Sequence, residues 1–310
     1  MSVINTNVSA LYSQNAMKTN ARAMNTVMEQ LSTGTRVNSA KDDAAGLAIG
    51  QNMTSQIRGL NQAVRNLNDG INMVQTAEGA MIEQSNMLQR MRELAVQAMN
   101  GTYSNVQRGY LDKEFQALSV QIGKIASDTK WNDQTLLDAS QTQDGTAGSF
   151  KYQAGQNAGQ TIVVTINAMT LTGLGINAQS AFSTPAVATG AADVYGNIAT
   201  ASIAAQSIAS PDIGTASRAT ATVALVSAAL ETINSQRAQL GAAINRMAYA
   251  ADNLTNISAN TTQSRSNIMD TDYALATTQL AKAQIIQQAA TAMLAQANQQ
   301  PQGVMALLKG

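Results

Sequence analysis

The stretch that decides the fold is residues 53–95, MTSQIRGLNQAVRNLNDGINMVQTAEGAMIEQSNMLQRMRELA. Alternating steps of four and three residues from Met53 meet apolar side chains throughout, except at Glu78, Ser85 and Arg92. These steps average about 3.5 residues, which is the period of a left-handed coiled coil. The pattern therefore predicts a long helix whose apolar seam packs against other helices. The first part of this core seam consists of Ile57, Leu60, Val64, Leu67 and Ile71.

The predicted helix runs from about residue 43 to about residue 99, a length on the order of 80 Å. Residues 39–42, SAKD, resemble a capping box at its start, and Asn100 with Gly101 is typical of a helix end. A compact charge cluster adjoins the start and consists of Lys41, Asp42 and Asp43. A carboxylate pair could serve catalysis or hold a metal, but capping and favourable dipole placement explain it better.

Two further regions carry the same spacing. A shorter series predicts a helix that folds back antiparallel on the first, with seam residues Leu111, Phe115, Leu118, Ile122 and Ile125. A long series over 226–268 predicts a third helix, whose core seam includes Leu240, Ile244 and Met247. Arg237 and Arg265 interrupt this series, either to set the helix register or to pair subunits. Because each helix has one apolar stripe, packing the three together is the economical arrangement.

The two ends of the chain carry weaker seams of the same kind. The predicted assembly seam consists of Met17, Met24, Met28, Leu31, Leu280, Ala290 and Leu294. The intervening seam positions are mostly alanine or glutamine, which bury little apolar area, and burial stabilises by about 25 cal/mol per Å². We therefore predict that residues 1–40 and 272–310 are mobile in the monomer and become ordered on assembly.

The middle of the chain has a different pattern. Phe150 and Tyr152 alternate with polar residues, GQNAG follows, and Ile162, Val164 and Ile166 alternate again, which predicts a β-hairpin. Residues 178–222 are rich in Ala, Ser and Thr and predict a surface segment with little core of its own. The expected fold class is mainly α, a long coiled-coil helical hairpin bundle with a small β-hairpin region in the middle of the chain.

Composition narrows the possible functions. The chain has no Cys and no His, so thiol nucleophiles, the usual general base and the commonest zinc ligands are missing. Its formal net charge is zero, which disfavours nucleic-acid binding. No apolar run is long enough to predict a membrane span, and the N-terminus does not resemble a secretory signal peptide. No cofactor or metal is expected, although an enzyme using Asp/Glu or Ser/Lys remains an alternative.

Several long motifs, in order, resemble the bacterial flagellins. At the N-terminal end they are VINTNVSAL, EQLSTGTRVNSAKDDAAGLAI, LNDGINMVQTAEGAM and LQRMRELAVQAMNGT. At the C-terminal end they are INSQRAQLGAAINRM, NLTNISANTTQSRSNIMDTDYA and the final LLKG. The hook-filament junction proteins share these ends more loosely, and the VINTN opening and QPQGVMALLKG close favour the filament subunit over them.

The resemblance implies a non-enzymatic structural subunit that self-assembles into the helical flagellar filament for swimming. Terminal helices at 1–42 and 272–310 would form a D0-like inner tube. A D1-like helical core with the hairpin, at 43–177 and 223–271, would form the outer tube. Residues 178–222 would be a short variable surface segment, where O-linked sugars are an open alternative.

The resemblance also implies partners and a location. The subunit would pass unfolded through the flagellar type III export apparatus and polymerise at the distal end of an extracellular flagellum. Its partners would be copies of itself, an export chaperone on the C-terminal helix, the filament cap and the hook-filament junction proteins. A vertebrate innate receptor, Toll-like receptor 5, would recognise the released monomer at Gln89, Arg90, Leu94 and Glu114. The alternative reading is that the charged members are solvated and that Leu94 packs in a filament contact.

Overall fold

The computed structural model describes residues 7–143, 146–176 and 211–308. Long helices account for most of this part of the chain, as the spacing of apolar residues predicted. They are α1 (Val8–Thr33), α2 (Ala44–Met99), α3 (Asn105–Asp128), α4 (Ala216–Met269) and α5 (Tyr273–Leu308). The mainly α fold class is therefore confirmed.

The chain forms two compact units. The first comprises Met1–Leu60 and Asn256–Gly310, and the second comprises Asn61–Thr255. Both divisions fall inside long helices, since α2 and α4 each continue through them. The predicted domain limits, near residues 42 and 272, coincide instead with the connections between helices and stay predictions.

The buried row of α2 in the second unit differs from the predicted seam at alternate positions, although the predicted Ser85 is buried as well. The row steps by four and three as Ala63, Leu67, Gly70, Val74, Ala77, Met81, Gln84, Leu88, Met91, Ala95 and Ala98. Leu67 lies in it as predicted, whereas Val64 and Ile71 are only half-buried. Ala63 and Gly70 take their places because small residues let neighbouring elements approach the helix most closely. In the first unit Leu60 is buried and Ile57 is half-buried.

The buried row of α4 shows the same displacement before Met247, whereas beyond it the predicted positions Ala251, Leu254 and Ser258 are buried. Leu240 and Met247 are buried as predicted, but Ile244 is half-buried and Ala243 is buried beside it. Helix α4 also begins earlier than expected, at Ala216. Residues 211–222 were predicted as part of the surface segment, and the structure contradicts this, since Ile213 and Thr222 are buried. The other part of that predicted segment, residues 178–210, lies outside the described residues.

The return of the chain into the second unit is held by α3. The backbone N–H of Ile213 donates to Asp112 Oδ1 at 3.0 Å, and Gln116 Nε2 donates to the Pro211 carbonyl at 2.8 Å. Asp212 then pairs with Arg218 at 2.7 Å within the first turn of α4. Residues that look like loop in the sequence therefore dock on the helical core.

Six short strands lie in the described part of the second unit. They are β1 (Lys130–Trp131), β2 (Gln134–Thr135), β3 (Thr142–Gln143), β4 (Thr146–Ala147), β5 (Ser149–Gln153) and β6 (Thr161–Thr165). The antiparallel β5–β6 pair, with Phe150 opposite Val164, confirms the predicted hairpin. Strands β3 and β4 extend it into a sheet ordered β4-β3-β5-β6, and β1 and β2 form a separate pair. Within the β1–β2 turn Asn132 and Asp133 both have left-handed φ values of 48° and 64°, which is typical of a two-residue hairpin turn.

Two buried glutamines attach this sheet region to the helices. Gln236 Nε2 on α4 donates to the Thr165 carbonyl at 2.9 Å, and its Oε1 accepts from Asn167 Nδ2 at 2.9 Å. Gln84 Nε2 on α2 donates to the carbonyls of Ile122 and Met169. The last residue of β6 is thereby hydrogen-bonded to α4, and the irregular backbone that follows it is hydrogen-bonded to α2 at Met169.

Candidate assembly site in the terminal helices

Helices α1 and α5 pack against each other in the first unit. Asn20 Nδ2 on α1 donates to the Ala283 carbonyl at 2.8 Å and to Gln287 Oε1 at 3.1 Å. Nearer the start of α1, Asn7 Nδ2 donates to the Ala297 carbonyl at 2.8 Å. The lower-numbered end of α1 therefore faces the higher-numbered end of α5, and the two helices are antiparallel.

The covered side of α5 coincides with the stripe read from the sequence. Among residues 276–299, those that are buried or half-buried are Ala276, Leu280, Ala283, Gln287, Ala290, Leu294 and Ala297. The predicted assembly residues Leu280, Ala290 and Leu294 therefore all lie on the side that is covered in the monomer. The two most buried residues of the stripe are alanines, Ala276 and Ala283.

The covered side of α1 differs from the prediction at one residue. Met17, Met24 and Leu31 are half-buried as expected for a seam, but Met28 is 51% exposed. The covered row runs through Ala10, Ser13, Met17, Asn20, Met24, Val27 and Leu31. Val27 thus takes the place predicted for Met28. The polar Asn20 occupies a seam position because its amide bonds across to α5, a role that an apolar pattern does not reveal.

Large apolar residues remain on the outward faces of the pair. Tyr12 is 75% exposed, Ile285 is 66% exposed and Met293 is 65% exposed. The segment of α5 from Ala283 to Gln299 contains no ionisable side chain. A solvent-facing helix normally carries charges on its exposed face, and larger apolar patches on monomers mark interaction sites. This composition is typical of a helix that another protein surface covers.

A β-bridge and several hydrogen bonds join the segment that precedes α2 to the segment that follows α4. Thr35 and Asp270 form an isolated antiparallel bridge, and Thr271 N–H donates to the Gly34 carbonyl at 3.0 Å. Arg36 donates from its backbone N–H to the Met269 carbonyl and from its guanidinium to the Ile268 carbonyl, both at 2.6 Å. These bonds satisfy carbonyls at the end of α4 that have no partner within the helix.

Gly34 ends α1 in a conformation that suits glycine. Its φ is +73°, and its N–H donates to the Gln30 carbonyl at 2.9 Å. A Cβ here would also lie 3.1 Å from the Tyr273 hydroxyl oxygen. The left-handed cap and this close neighbour both disfavour a larger residue.

The charge cluster before α2 serves local structure. Asp42 Oδ2 accepts hydrogen bonds from Ser39 Oγ at 2.9 Å and from Ser39 N–H at 3.0 Å. The Ser39 hydroxyl bond is the main cause that holds the pKa of Asp42 below its ordinary value. Asp43, rather than Ser39, caps α2, because its Oδ1 accepts from Gly46 N–H at 2.8 Å. Lys41 lies beside them and is exposed.

The four residues predicted to contact an innate receptor lie on α2 and α3. Arg90 donates to Glu114 at 2.9 Å and to Glu93 at 3.1 Å, and the Glu114 bond raises the pKa of Arg90. Arg90, Glu114 and Gln89 are exposed. Leu94 is only 1% exposed, so it packs inside the unit and offers no surface in this conformation.

The two arginines that interrupt the α4 seam have different surroundings. Arg237 lies 3.5 Å from Glu78 Oε1 on α2, so this predicted break in the apolar row pairs two helices of the same chain. Arg265 lies in the other unit and is half-buried. The intrachain pair of Arg237 agrees with a role in helix register.

The described residues contain neither a metal site nor a membrane-spanning helix. No group of three or more Asp, Glu, His or Cys residues there is placed to hold a metal ion. Nor does any helix of the described ranges combine the length and apolar character that a bilayer crossing requires.

Family comparisons cover both ends of the chain. A family described as the bacterial flagellin N-terminal helical region matches residues 4–142, and the bacterial flagellin C-terminal helical region matches residues 223–308. The chain belongs to the bacterial flagellin family. Flagellins are structural proteins and not enzymes, and they polymerise with copies of themselves into the extracellular flagellar filament.

Individual flagellins match over almost their whole length. Flagellin A of Vibrio anguillarum is 34% identical, with 99% of this chain and 99% of that protein covered. Flagellin B of the same organism is 36% identical, with 98% of this chain and 99% of that protein covered. Among solved structures, Bacillus cereus flagellin is 24% identical with a TM-score of 0.45, and the match covers 64% of this chain and 94% of that one.

Proposed function

We propose that this flagellin joins its neighbours in the filament through the outward faces of α1 and α5, which would line the inner tube. The uncharged outer side of α5 carries this proposal, because Ile285 and Met293 are exposed on it without any charge from Ala283 to Gln299. Exposed apolar area of this kind is stabilised when a second protein surface removes it from water. We propose that the surface covering this side of α5 belongs to a second copy of this chain.

The packing of α1 against α5 within one copy supports the same proposal. The stripe that contains Leu280, Ala290 and Leu294 is already covered by α1 in the monomer, so a neighbour must use the remaining faces. Met28 is exposed on one of those faces, and this supports its assignment as a contact between copies rather than within one copy. Met17, Met24 and Leu31 act on assembly indirectly, by holding the pair together.

We further propose the transport route and partners that the family resemblance implies. The chain is exported unfolded through the flagellar type III apparatus, and before export a chaperone binds its C-terminal helix. The apolar, nearly uncharged α5 supports this, since it would be prone to premature association in the cytoplasm. At the distal end the chain meets the filament cap, and at the base it meets the hook-filament junction proteins. Co-purification of a cytoplasmic partner that is lost when residues 273–308 are deleted tests the chaperone proposal.

Recognition by Toll-like receptor 5 is proposed for Gln89, Arg90 and Glu114. These side chains are exposed, and the Arg90–Glu114 pair forms a defined polar surface across α2 and α3. Leu94 contributes by supporting this surface from inside, because it is buried in the monomer. A reporter-cell assay in which pure monomer gives no response would remove this proposal.

Seeded growth tests the main proposal. Purified monomer is added to short filament fragments, and filament length is followed by electron microscopy. Wild-type monomer should lengthen the fragments, whereas a junction-type protein would stop after one layer. Ile285→Asp should block growth while leaving the monomer as stable as wild type, because the side chain is already in solvent. Leu294→Asp should also block growth, through loss of the α1–α5 pair.

A matched control places the same charge elsewhere. Val163 on β6 is exposed, so Val163→Asp adds an aspartate in place of an exposed apolar residue of the other unit. This variant should still lengthen seeds. Normal growth of Ile285→Asp and Leu294→Asp monomers would refute the assignment of the terminal helices as the joining surface.

A further inference from the structure

The sulfur chemistry of the chain is confined to thioethers. It contains 15 methionines and no cysteine. Most of the methionines whose surroundings are described in the second unit are inaccessible, namely Met73, Met81, Met91, Met169 and Met247. Burial shields a thioether from soluble oxidants, so these residues form an internal reference set of slow sites.

Two methionines of the terminal helices are in the opposite situation. Met28 on α1 is 51% exposed and Met293 on α5 is 65% exposed. Met17 and Met24 lie on the covered side of α1 and are half-buried. Among the methionines of the pair whose surroundings the structure describes, the most accessible thioethers are thus on the outward faces, where a neighbouring copy is proposed to pack.

We propose that Met28 and Met293 are oxidation sites of the unassembled subunit, and that their conversion to sulfoxides prevents polymerisation. The oxidant is a peroxide. Hydrogen peroxide transfers one oxygen atom to the sulfur, the O–O bond breaks, and water leaves, so the thioether is oxidised and the peroxide reduced. The reaction needs no neighbouring base or metal.

The effect on assembly follows from the change in polarity. A thioether is apolar and adapts to irregular packing, whereas a sulfoxide is polar and chiral and carries a strong hydrogen-bond acceptor. Burying that acceptor against an apolar face without a donor is unfavourable. The stretch of α5 around Met293 has no cationic side chain from Ala283 to Gln299 that could compensate.

This inference rests on the proposed use of the outward faces as the joining surface. It adds a difference in methionine reactivity between the free subunit and the assembled subunit. The free subunit exposes both sulfurs, and the assembled subunit would cover them. A filament would then tolerate peroxide that disables unassembled subunits, and reduction of the sulfoxides would restore them.

The experiment compares free monomer and filament under the same peroxide dose. Sulfoxide at each methionine is quantified by peptide mass spectrometry. In monomer, Met28 and Met293 should oxidise at least tenfold faster than Met81 and Met91. In filament, the rates at Met28 and Met293 should fall at least tenfold. Equal rates at the four sites in monomer, or unprotected Met28 and Met293 in filament, would overturn the inference.

Seeded growth then measures the consequence, with each protein normalised to its own untreated rate. Treated wild type should elongate at least tenfold more slowly, and the two stereospecific methionine sulfoxide reductases together should restore growth. The variant Met28→Leu/Met293→Leu, which keeps every other methionine, should lose less than twofold on treatment. Met99 on α2 is 39% exposed, and the control Met99→Leu should remain as sensitive as wild type.

The outcomes separate this inference from the proposed function. If untreated wild type lengthens seeds and treated wild type does so equally well, the oxidation sites do not govern assembly. If the double leucine variant is as sensitive as wild type, other methionines are responsible and the inference fails. If Ile285→Asp assembles normally, the proposed joining surface fails, whatever the oxidation result.

Discussion

Glycines 70 and 79 of α2 provide a matched pair for testing how closely the second unit is packed. Both lie within the helix, nine positions apart. A Cβ at Gly70 would lie 2.9 Å from two ring carbons of Tyr152 and 3.2 Å from Met247 Sδ, whereas a Cβ at Gly79 meets no atom within 4 Å. Replacing each by alanine therefore adds the same methyl group to a crowded and to an open site.

The two substitutions share one favourable effect and differ in one unfavourable effect. Alanine is favoured over glycine inside a helix by about 0.8–1.0 kcal/mol. Adding a methyl group to a packed site destabilises by about 1–3 kcal/mol, because side chains or backbone must shift. Gly79→Ala should thus raise the free energy of unfolding by up to about 1 kcal/mol. Gly70→Ala should lower it by up to about 2 kcal/mol, or leave it nearly unchanged if Tyr152 moves easily.

The difference between the variants is the quantity to measure. Urea unfolding of the monomer, followed by far-ultraviolet circular dichroism, should find Gly70→Ala less stable than Gly79→Ala by about 1–3 kcal/mol. Displacement of the ring should also break the Tyr152 hydroxyl contact with Met73 Sδ, which is 2.9 Å long. A Gly70→Ala variant as stable as Gly79→Ala would refute the close approach of the hairpin to α2.

Three other predictions concern polar groups. Gln236→Ala should lower the free energy of unfolding by about 1–3 kcal/mol in urea, because it leaves the Thr165 carbonyl without its donor. Arg90→Ala should leave that free energy nearly unchanged, because water screens its half-exposed pair with Glu114, while the reporter-cell response falls. The folded-state pKa of Asp42 is depressed, so its contribution is present above the unfolded pKa and is lost as pH falls through the lower folded value. Thermal melts between pH 2 and about pH 5 should therefore decline less steeply for Asp42→Asn than for wild type.

The spacing of apolar residues could predict the helices and the covered stripe of α5, but only about half of the buried row of α2 in the second unit. Large residues at Leu67, Leu240 and Met247 identify one position per heptad correctly. At the other position, a spacing of four then three residues and a spacing of three then four select residues that are one apart. The apolar Val64 and Ile71 fit the spacing that the structure does not use. The structure prefers Ala63 and Gly70 there because the closest approach between elements favours the smallest side chains, which hydrophobicity alone ranks low.

Polar residues in buried rows were the second feature that the sequence did not reveal. Asn20, Gln84 and Gln236 each occupy a covered position and donate to a main-chain carbonyl of another segment. The value of such a residue depends on where that carbonyl lies, and the carbonyl belongs to a part of the chain remote in sequence. Similarly, Ile213 was assigned to a surface segment because its Ala- and Ser-rich surroundings conceal its anchor on Asp112.

The two units differ in the size of the side chains that they bury, and this difference affects how the filament forms. The second unit fully buries large side chains such as Phe115, Leu67 and Met81. In α1 and α5, by contrast, the buried residues of the described part are Ala10, Val27, Ala276 and Ala283.

Burial of a few small side chains offsets little of the entropy of ordering two helices of 26 and 36 residues. We therefore predict that the α1–α5 pair is only marginally stable in the monomer and gains stability from neighbouring copies, so that its stability rises with subunit concentration. Amide hydrogen exchange measures the stability of this helix pair. In dilute monomer, exchange in α1 and α5 should be much faster than in α2 and α4 of the second unit, and in filament it should be strongly slowed.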